Sequence, residues 1–328
     1  MQTWAICSRK YSPYQISGIG YMVHAVLNLP ARVKIVEVGP RDGLQNEATI
    51  LDVPVKVELV NRLSESGIGF IEVGAFVSPK KIPQMANSSA VFQGIQRKAN
   101  ICYSALVPNT VGFEAALASK VNEIAVFAAA SETFSQRNIN CSIDESFDRF
   151  LPVITAAKHA NIPVRGYLSC VLGCPYEGKV EAEKVAILAS RLFNMGCHEV
   201  SLGDTIGVGV ATETVLLIDT VSKHVPIGKL AVHFHDTYGQ ALANIITALQ
   251  KGISIVDSSV AGLGGCPYAV GASGNIATED VVYALNKMGI KTDVDLEKLS
   301  RAGMWISQIC KKNYQSKAGQ AFLAKIKK

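Results

Sequence analysis

From Val33 onward, short runs that are apolar at almost every position alternate with amphipathic stretches. The runs cover residues 33–38, 70–73, 101–106, 123–127, 164–169, 199–202, 230–234 and 255–260. Near-continuous apolarity over four to six residues is the pattern of parallel strands covered on both faces. The intervening stretches, such as 53–66, 181–195, 213–223 and 241–250, carry helical periodicity. Gly67, Gly196 and Gly252 stand where helix C-caps belong. Eight such units in about 250 residues predict an α/β fold, a closed (β/α)8 TIM barrel. The alternative, an open doubly wound sheet, requires a glycine-rich dinucleotide turn after the first strand. Here that turn reads Gly39-Pro40-Arg41-Asp42-Gly43. The expected organisation is an N-terminal extension or leader over 1–30, a catalytic barrel over 31–290, and a C-terminal helical region over 291–328 packed on the barrel.

Composition narrows the class. Of the 328 residues, 48% are apolar and 18% charged, which suits a large buried core. Lys158, His159 and Arg165 interrupt the longest apolar stretch, so no membrane span is expected. The net charge of +5 is spread thinly, its one dense cluster being Lys325, Lys327 and Lys328. No basic face interleaved with aromatics suggests nucleic-acid binding. A mild positive balance favours anionic substrates. The eight cysteines are scattered and read as reduced thiols. Cys170 and Cys174 are spaced as half of a zinc site, but no second pair completes it, so they are expected as buried or loop thiols. The first 32 residues contain Arg9, Lys10 and Arg32 and no acid, a leader-like composition. The expected compartment is therefore the mitochondrial matrix for a eukaryotic source and the cytoplasm for a bacterial one.

The chemistry gathers at strand ends, where barrels of this class keep their active sites. Arg41 and Asp42 follow the first run, and Glu72 lies near the end of the second. Asp204 follows the sixth, His233 and His235 end the seventh, and Cys266 and Asn275 come after the eighth. Two histidines two apart on a strand point to one side. With Asp42 and the amide oxygen of Asn275 they compose a mixed oxygen and nitrogen set suited to Mg²⁺ or Mn²⁺. Two histidines and a carboxylate also spell a non-haem iron site, which the parallel pattern and the adjacent Arg41 disfavour. Gly262, Gly264, Gly265, Gly271 and Gly274 supply the backbone freedom of a closing loop around Cys266, whose thiol can serve as acid or base.

The segment Ser258-Ser259-Val260-Ala261-Gly262-Leu263-Gly264-Gly265-Cys266-Pro267-Tyr268-Ala269 resembles the signature loop of the 3-hydroxy-3-methylglutaryl-CoA lyase family. Val36-Glu37-Val38-Gly39-Pro40-Arg41-Asp42-Gly43-Leu44-Gln45-Asn46-Glu47 resembles its first-strand motif. Cys174-Pro175-Tyr176-Glu177-Gly178, Ser201-Leu202-Gly203-Asp204-Thr205-Ile206-Gly207 and His235-Asp236-Thr237-Tyr238-Gly239-Gln240 also fit, so the likeness spans residues 29–280. Condensing enzymes of the isopropylmalate and homocitrate synthase type share the Arg-Asp and His-x-His elements but not the cysteine loop. The resemblance implies metal-dependent cleavage of 3-hydroxy-3-methylglutaryl-CoA to acetyl-CoA and acetoacetate. It implies Asp42, His233, His235 and Asn275 as metal ligands and Arg41 as the residue binding the reacting thioester oxygen. Cys266 resembles the mobile acid or base, and Glu72 and Asp204 the supporting carboxylates. Gln45 is expected beside the substrate. His233 and Asp204 are both candidates to take the hydroxyl proton. The expected partner is an acyl-CoA substrate, and the expected assembly a homodimer. The competing readings are a condensing synthase and a non-catalytic barrel that binds acyl-CoA.

Overall fold

The computed structural model describes residues 28–265 and 274–326. Its strands are β1 (Lys34–Glu37), β2 (Phe70–Ala75), β3 (Cys102–Leu106), β4 (Glu123–Ala129), β5 (Val164–Ser169), β6 (Glu199–Asp204), β7 (Leu230–Phe234) and β8 (Ile255–Ser258). Each pairs in parallel with its chain neighbours, and β8 returns to β1, so the sheet closes as the expected barrel. The helices are α1 (Val53–Glu65), α2 (Ser88–Gly94), α3 (Thr110–Ala118), α4 (Glu132–Ile139), α5 (Ile143–His159), α6 (Ala182–Met195), α7 (Ala211–Val221), α8 (Ala241–Gln250), α9 (Thr278–Lys287), α10 (Leu296–Ile309) and α11 (Lys317–Ile326). At least one follows every strand, and α10 packs against α1. No described helix is long and apolar enough to cross a membrane.

Two cores with different chemistry result. Between strands and helices lies one large apolar cluster, with Leu59 and Leu63 of α1, Ile71 of β2, Phe147 and Phe150 of α5, and Phe234 of β7. Inside the barrel the apolar cluster is small: Val36, Val38, Ala231 and Ile255, with Phe70 against them. Charge occupies other inward positions. Arg165, Glu199, Asp257 and Glu72 are all buried there, and such groups are tolerated inside a protein only when paired.

Several boundaries differ from the sequence expectation for identifiable reasons. The eighth strand stops at Ser258 instead of residue 260. Glu37 Oε1 accepts the Val260 amide at 2.8 Å, and both Glu279 oxygens accept that of Ala261. Those donors are diverted from the ladder, and Val260–Gly262 turns instead, with Ala261 at φ 61°. Helix α7 begins two residues earlier than the pattern suggests, because Glu213 reaches back to accept the Val210 amide. Gly67, Gly196 and Gly252 all have positive φ, as expected of residues that end helices.

Candidate active site

The C-terminal mouth of the barrel is shaped first by a turn. After β1, Gly39–Gly43 forms one wide helical turn, closed by the Gly43 amide on the Val38 carbonyl at 3.1 Å. Its two end glycines let it lie against the end of β8. A Cβ on Gly39 would stand 2.6 Å from Glu37 Oε1, and one on Gly43 would stand 2.6 Å from Ser259 Oγ. Seated there, the turn holds Arg41 and Asp42 over the axis.

His233 and His235, at the end of β7, face the same space, with ring centroids 5.5 Å apart. The strands β7 and β1 are separated only by β8, which brings Asp42 to the imidazoles. One ligand atom from each of Asp42, His233 and His235 lies within 4.8 Å of the others. Among the described residues this is the one such cluster of His, Cys, Asp and Glu. His233 Nε2 stands 3.7 Å from Asp42 Oδ2, too far for a hydrogen bond. For ligands at ~2.1 Å from one cation, neighbouring donors are ~3.0 Å apart and opposite donors ~4.2 Å. The observed separation lies between these limits.

Protonation prepares these groups as donors. Burial works against the Asp42 charge, but the Arg41 guanidinium and the two imidazoles hold its carboxyl well below the usual range. Arg41 Nη1 donates to Asp42 Oδ1 at 2.6 Å, and Asn275 Nδ2 donates to Oδ2 at 2.8 Å. His235 is pushed down to about 4, first by burial and then by the neighbouring His233, so at neutral pH one of its ring nitrogens keeps a free lone pair. Burial opposes protonation of His233 as well. There the hydrogen bond to Asp257 and the charge of Asp42 prevail and raise its pKa. A carboxylate and two buried imidazoles, one strongly disposed to be neutral, fit a divalent cation.

The remaining expected residues fall at varied distances from this centre. Glu72, near the end of β2, accepts from Arg41 Nε at 2.6 Å and so fixes the guanidinium. Its other oxygen, Oε1, is buried with no described partner. Gln45 lies one turn beyond Arg41 and is half-buried. Asn275 bridges to His235 but turns its amide nitrogen toward Asp42. For its oxygen to serve as the expected ligand, that amide must flip. Asp204 ends β6 inside the strand rather than following it, and its carboxylate accepts the amides of Val208 at 3.3 Å and Gly209 at 2.9 Å. Cys266 lies outside the described residues. Cys170 and Cys174 are buried thiols, and Cys174 contacts Ser131 at 3.0 Å.

Sequence reasoning missed Asp257. Its Oδ2 lies 3.2 Å from His233 Nδ1, and its carboxylate is gripped by Arg165. The signal available was a lone acid in the apolar run Ile255-Val256-Asp257-Ser258 and a lone base in Val164-Arg165-Gly166. Charges inside apolar strand runs must pair across the barrel, since nothing else there can neutralise them.

Fold and site together define a (β/α)8 barrel whose C-terminal mouth gathers Asp42, His233 and His235, a donor set that fits a divalent cation, with an arginine beside it. The chain belongs to the HMGL-like family, whose model matches residues 32–306. It is 59% identical over 299 residues to the Pseudomonas aeruginosa 3-hydroxy-3-isohexenylglutaryl-CoA/hydroxy-methylglutaryl-CoA lyase, covering 91% of this chain and 100% of that one. The crystal structure of a hydroxymethylglutaryl-CoA lyase from Pseudomonas aeruginosa superposes with TM-score 0.89 at 59% identity, over 91% of this chain and 99% of that one. An HMG-CoA lyase from Acenitobacter baumannii, solved in complex with coenzyme A and 3-methylmalate, superposes with TM-score 0.85 at 34% identity. That match covers 89% of this chain and 95% of the other.

Proposed function

We propose that this chain is a carbon–carbon lyase that cleaves 3-hydroxy-3-methylglutaryl-CoA to acetyl-CoA and acetoacetate. The observation that carries the reading is the Asp42, His233 and His235 triad with Arg41 fixed beside it, in a chain whose relatives are named for this substrate. Cleavage removes the proton of a tertiary hydroxyl and leaves an enolate on the thioester carbon chain. Asp42, His233 and His235 would hold Mg²⁺ or Mn²⁺, and Asn275 would join them after an amide flip. Held there, such a cation would supply Lewis acidity toward the substrate hydroxyl. Arg41 keeps its charge, because burial is outweighed by Glu72 and Asp42. Its Nε and Nη1 are committed to those carboxylates, which leaves Nη2 to face the developing enolate oxygen. A preorganised donor of this kind is worth roughly 3–4 kcal/mol in the transition state. Cys266 would return a proton to the enolate carbon.

The two candidates for the hydroxyl proton are not equivalent. A His233 Nε2 that binds a cation has no lone pair left for a proton. Asp204 is buried, which raises its pKa against the opposing loop amides, and a raised carboxylate is a better proton acceptor. Asp204 would therefore take the proton, and His233 would hold the cation. Asp204→Asn should lower kcat by about 10²–10⁴-fold while Mn²⁺ affinity stays at the wild-type value. Loss of Mn²⁺ binding instead would move Asp204 into the ligand set. The activity itself is tested by a coupled assay for acetoacetate with and without Mg²⁺. No metal-dependent product from 3-hydroxy-3-methylglutaryl-CoA would defeat the reading. Release of free CoA from acetyl-CoA and a 2-oxo acid would favour a condensing synthase. The substrate is an acyl-CoA; the assembly proposed is a homodimer, and size-exclusion chromatography with light scattering tests it.

A further inference from the structure

We propose that Asp257 and Arg165 are positioning residues for the cation site, acting through His233. The inference rests on the reading of Asp42, His233 and His235 as ligands. Asp257 lies on β8 directly opposite His233 of β7 in the strand register. Its two oxygens receive four contacts. Oδ1 accepts from Arg165 Nη2 at 2.7 Å. Oδ2 accepts from Arg165 Nη1 at 3.0 Å and from Ser201 Oγ at 2.8 Å, and it lies 3.2 Å from His233 Nδ1. An ionised carboxylate can only accept, and a guanidinium can only donate. The proton between His233 and Asp257 therefore belongs to Nδ1. That leaves the Nε2 lone pair on the side of Asp42, where a cation needs it. With the proton on Nε2, two lone pairs would face each other at Asp257.

Arg165 makes the acceptor dependable. It crosses the barrel interior from β5 and clamps Asp257 through two parallel N–H···O bonds, which fix both the plane and the charge of the carboxylate. Its own place is set by Glu199 Oε1, 2.6 Å from Nε, and by the Tyr167 hydroxyl, 3.0 Å from Nη1. Glu199 is in turn paired with Lys34 Nζ at 2.5 Å. Lys34, Glu199, Arg165 and Asp257 thus alternate in sign across the interior and end on the imidazole. A purely structural staple could use any opposite pair in this place. The particular feature is that the series ends on the back of a ligand ring, where the partner of a metal-bound histidine fixes the tautomer.

The test uses Mn²⁺ alone, followed by electron paramagnetic resonance, so it does not depend on turnover. Removing one charge would leave the other buried and unpaired, so the variant is the double substitution Arg165→Met with Asp257→Asn. The expected result is Mn²⁺ binding weakened about 10–100-fold, with the circular-dichroism spectrum retained. Wild-type Mn²⁺ affinity in a folded double variant would overturn the proposal and leave the cation site standing. No Mn²⁺ binding by the wild-type chain would overturn both. If the double variant does not fold, the wild-type chain still answers. Long-range ¹H–¹⁵N correlation of the metal-free protein at pH 9, with His233 assigned by its loss in His233→Gln, reports the ring proton. Protonated Nδ1 and bare Nε2 are expected, and a proton on Nε2 would overturn the proposal.

Discussion

His233 and His235 are the same residue type, two positions apart on one strand, yet their surroundings drive their proton affinities in opposite directions. His233 has the Asp257 carboxylate behind it, whereas at His235 burial and the neighbouring imidazole outweigh Asp42 and the backbone of Thr205. His235 should therefore lose few protons on binding a cation, and His233 should govern the pH dependence. His235→Ala should abolish tight Mn²⁺ binding; titration showing unchanged affinity removes it from the ligands. Arg41→Met should cut kcat by about 10²–10³-fold, as for loss of one preorganised donor, with Mn²⁺ affinity kept. A change in KM alone would mean that Arg41 binds the ground state and transition state equally. These residues were legible in the sequence because each is a polar group at the end of an apolar run, with a spacing that carries meaning. Asp257 was not, because one acid inside a strand shows its purpose only when the register places it opposite a histidine. The placement of Asp204 was likewise hidden: which way a carboxylate turns depends on the amides of the following loop.

At the scale of elements, the end of β8 is held by buried carboxylates rather than by its ladder. Glu37 accepts the amides of Gly39 and Val260 and the hydroxyl of Thr278. Glu279 accepts from Ala261 and from the hydroxyl of Tyr314. The apolar pattern extended this strand to residue 260 because side-chain competition for backbone amides leaves no mark on hydropathy. Burial raises Glu279 from 4.5 to about 8 and Glu37 to about 7. A carboxyl whose pKa is higher folded than unfolded binds more protons in the native state. Stability then falls as pH rises from near the unfolded pKa through the folded one. Glu279→Gln keeps an acceptor for Tyr314 and removes the charge. Thermal melts from pH 5 to 8.5 should show the wild-type Tm declining and the Gln variant declining less steeply. Parallel curves would show that Glu279 is ionised throughout.

The barrel is closed by its two chain-distant strands, and the proposed cation site straddles that closure. Asp42 comes from the turn after β1, His233 and His235 from β7, and Asn275 from beyond β8. A cation bound there ties the first βα unit to the last two, so its binding free energy adds to global stability rather than to a loop alone. At a free Mg²⁺ concentration 100 times Kd the added stability is ~2.7 kcal/mol. This predicts a Tm rise of a few degrees that His235→Ala abolishes. Hydrogen exchange followed by mass spectrometry should slow more at β1, β7 and β8 than at β3 and β4, where no ligand lies. The effect has a direction in pH. His233 is raised above the usual imidazole value of 6.5, and its protonated Nε2 cannot bind a cation. The Mg²⁺-dependent rise should therefore be complete above that raised pKa and shrink as pH falls through it. A Tm shift that stays constant down to pH 5 would place the cation away from His233, and a uniform slowing of exchange over all eight strands would deny the seam any special share.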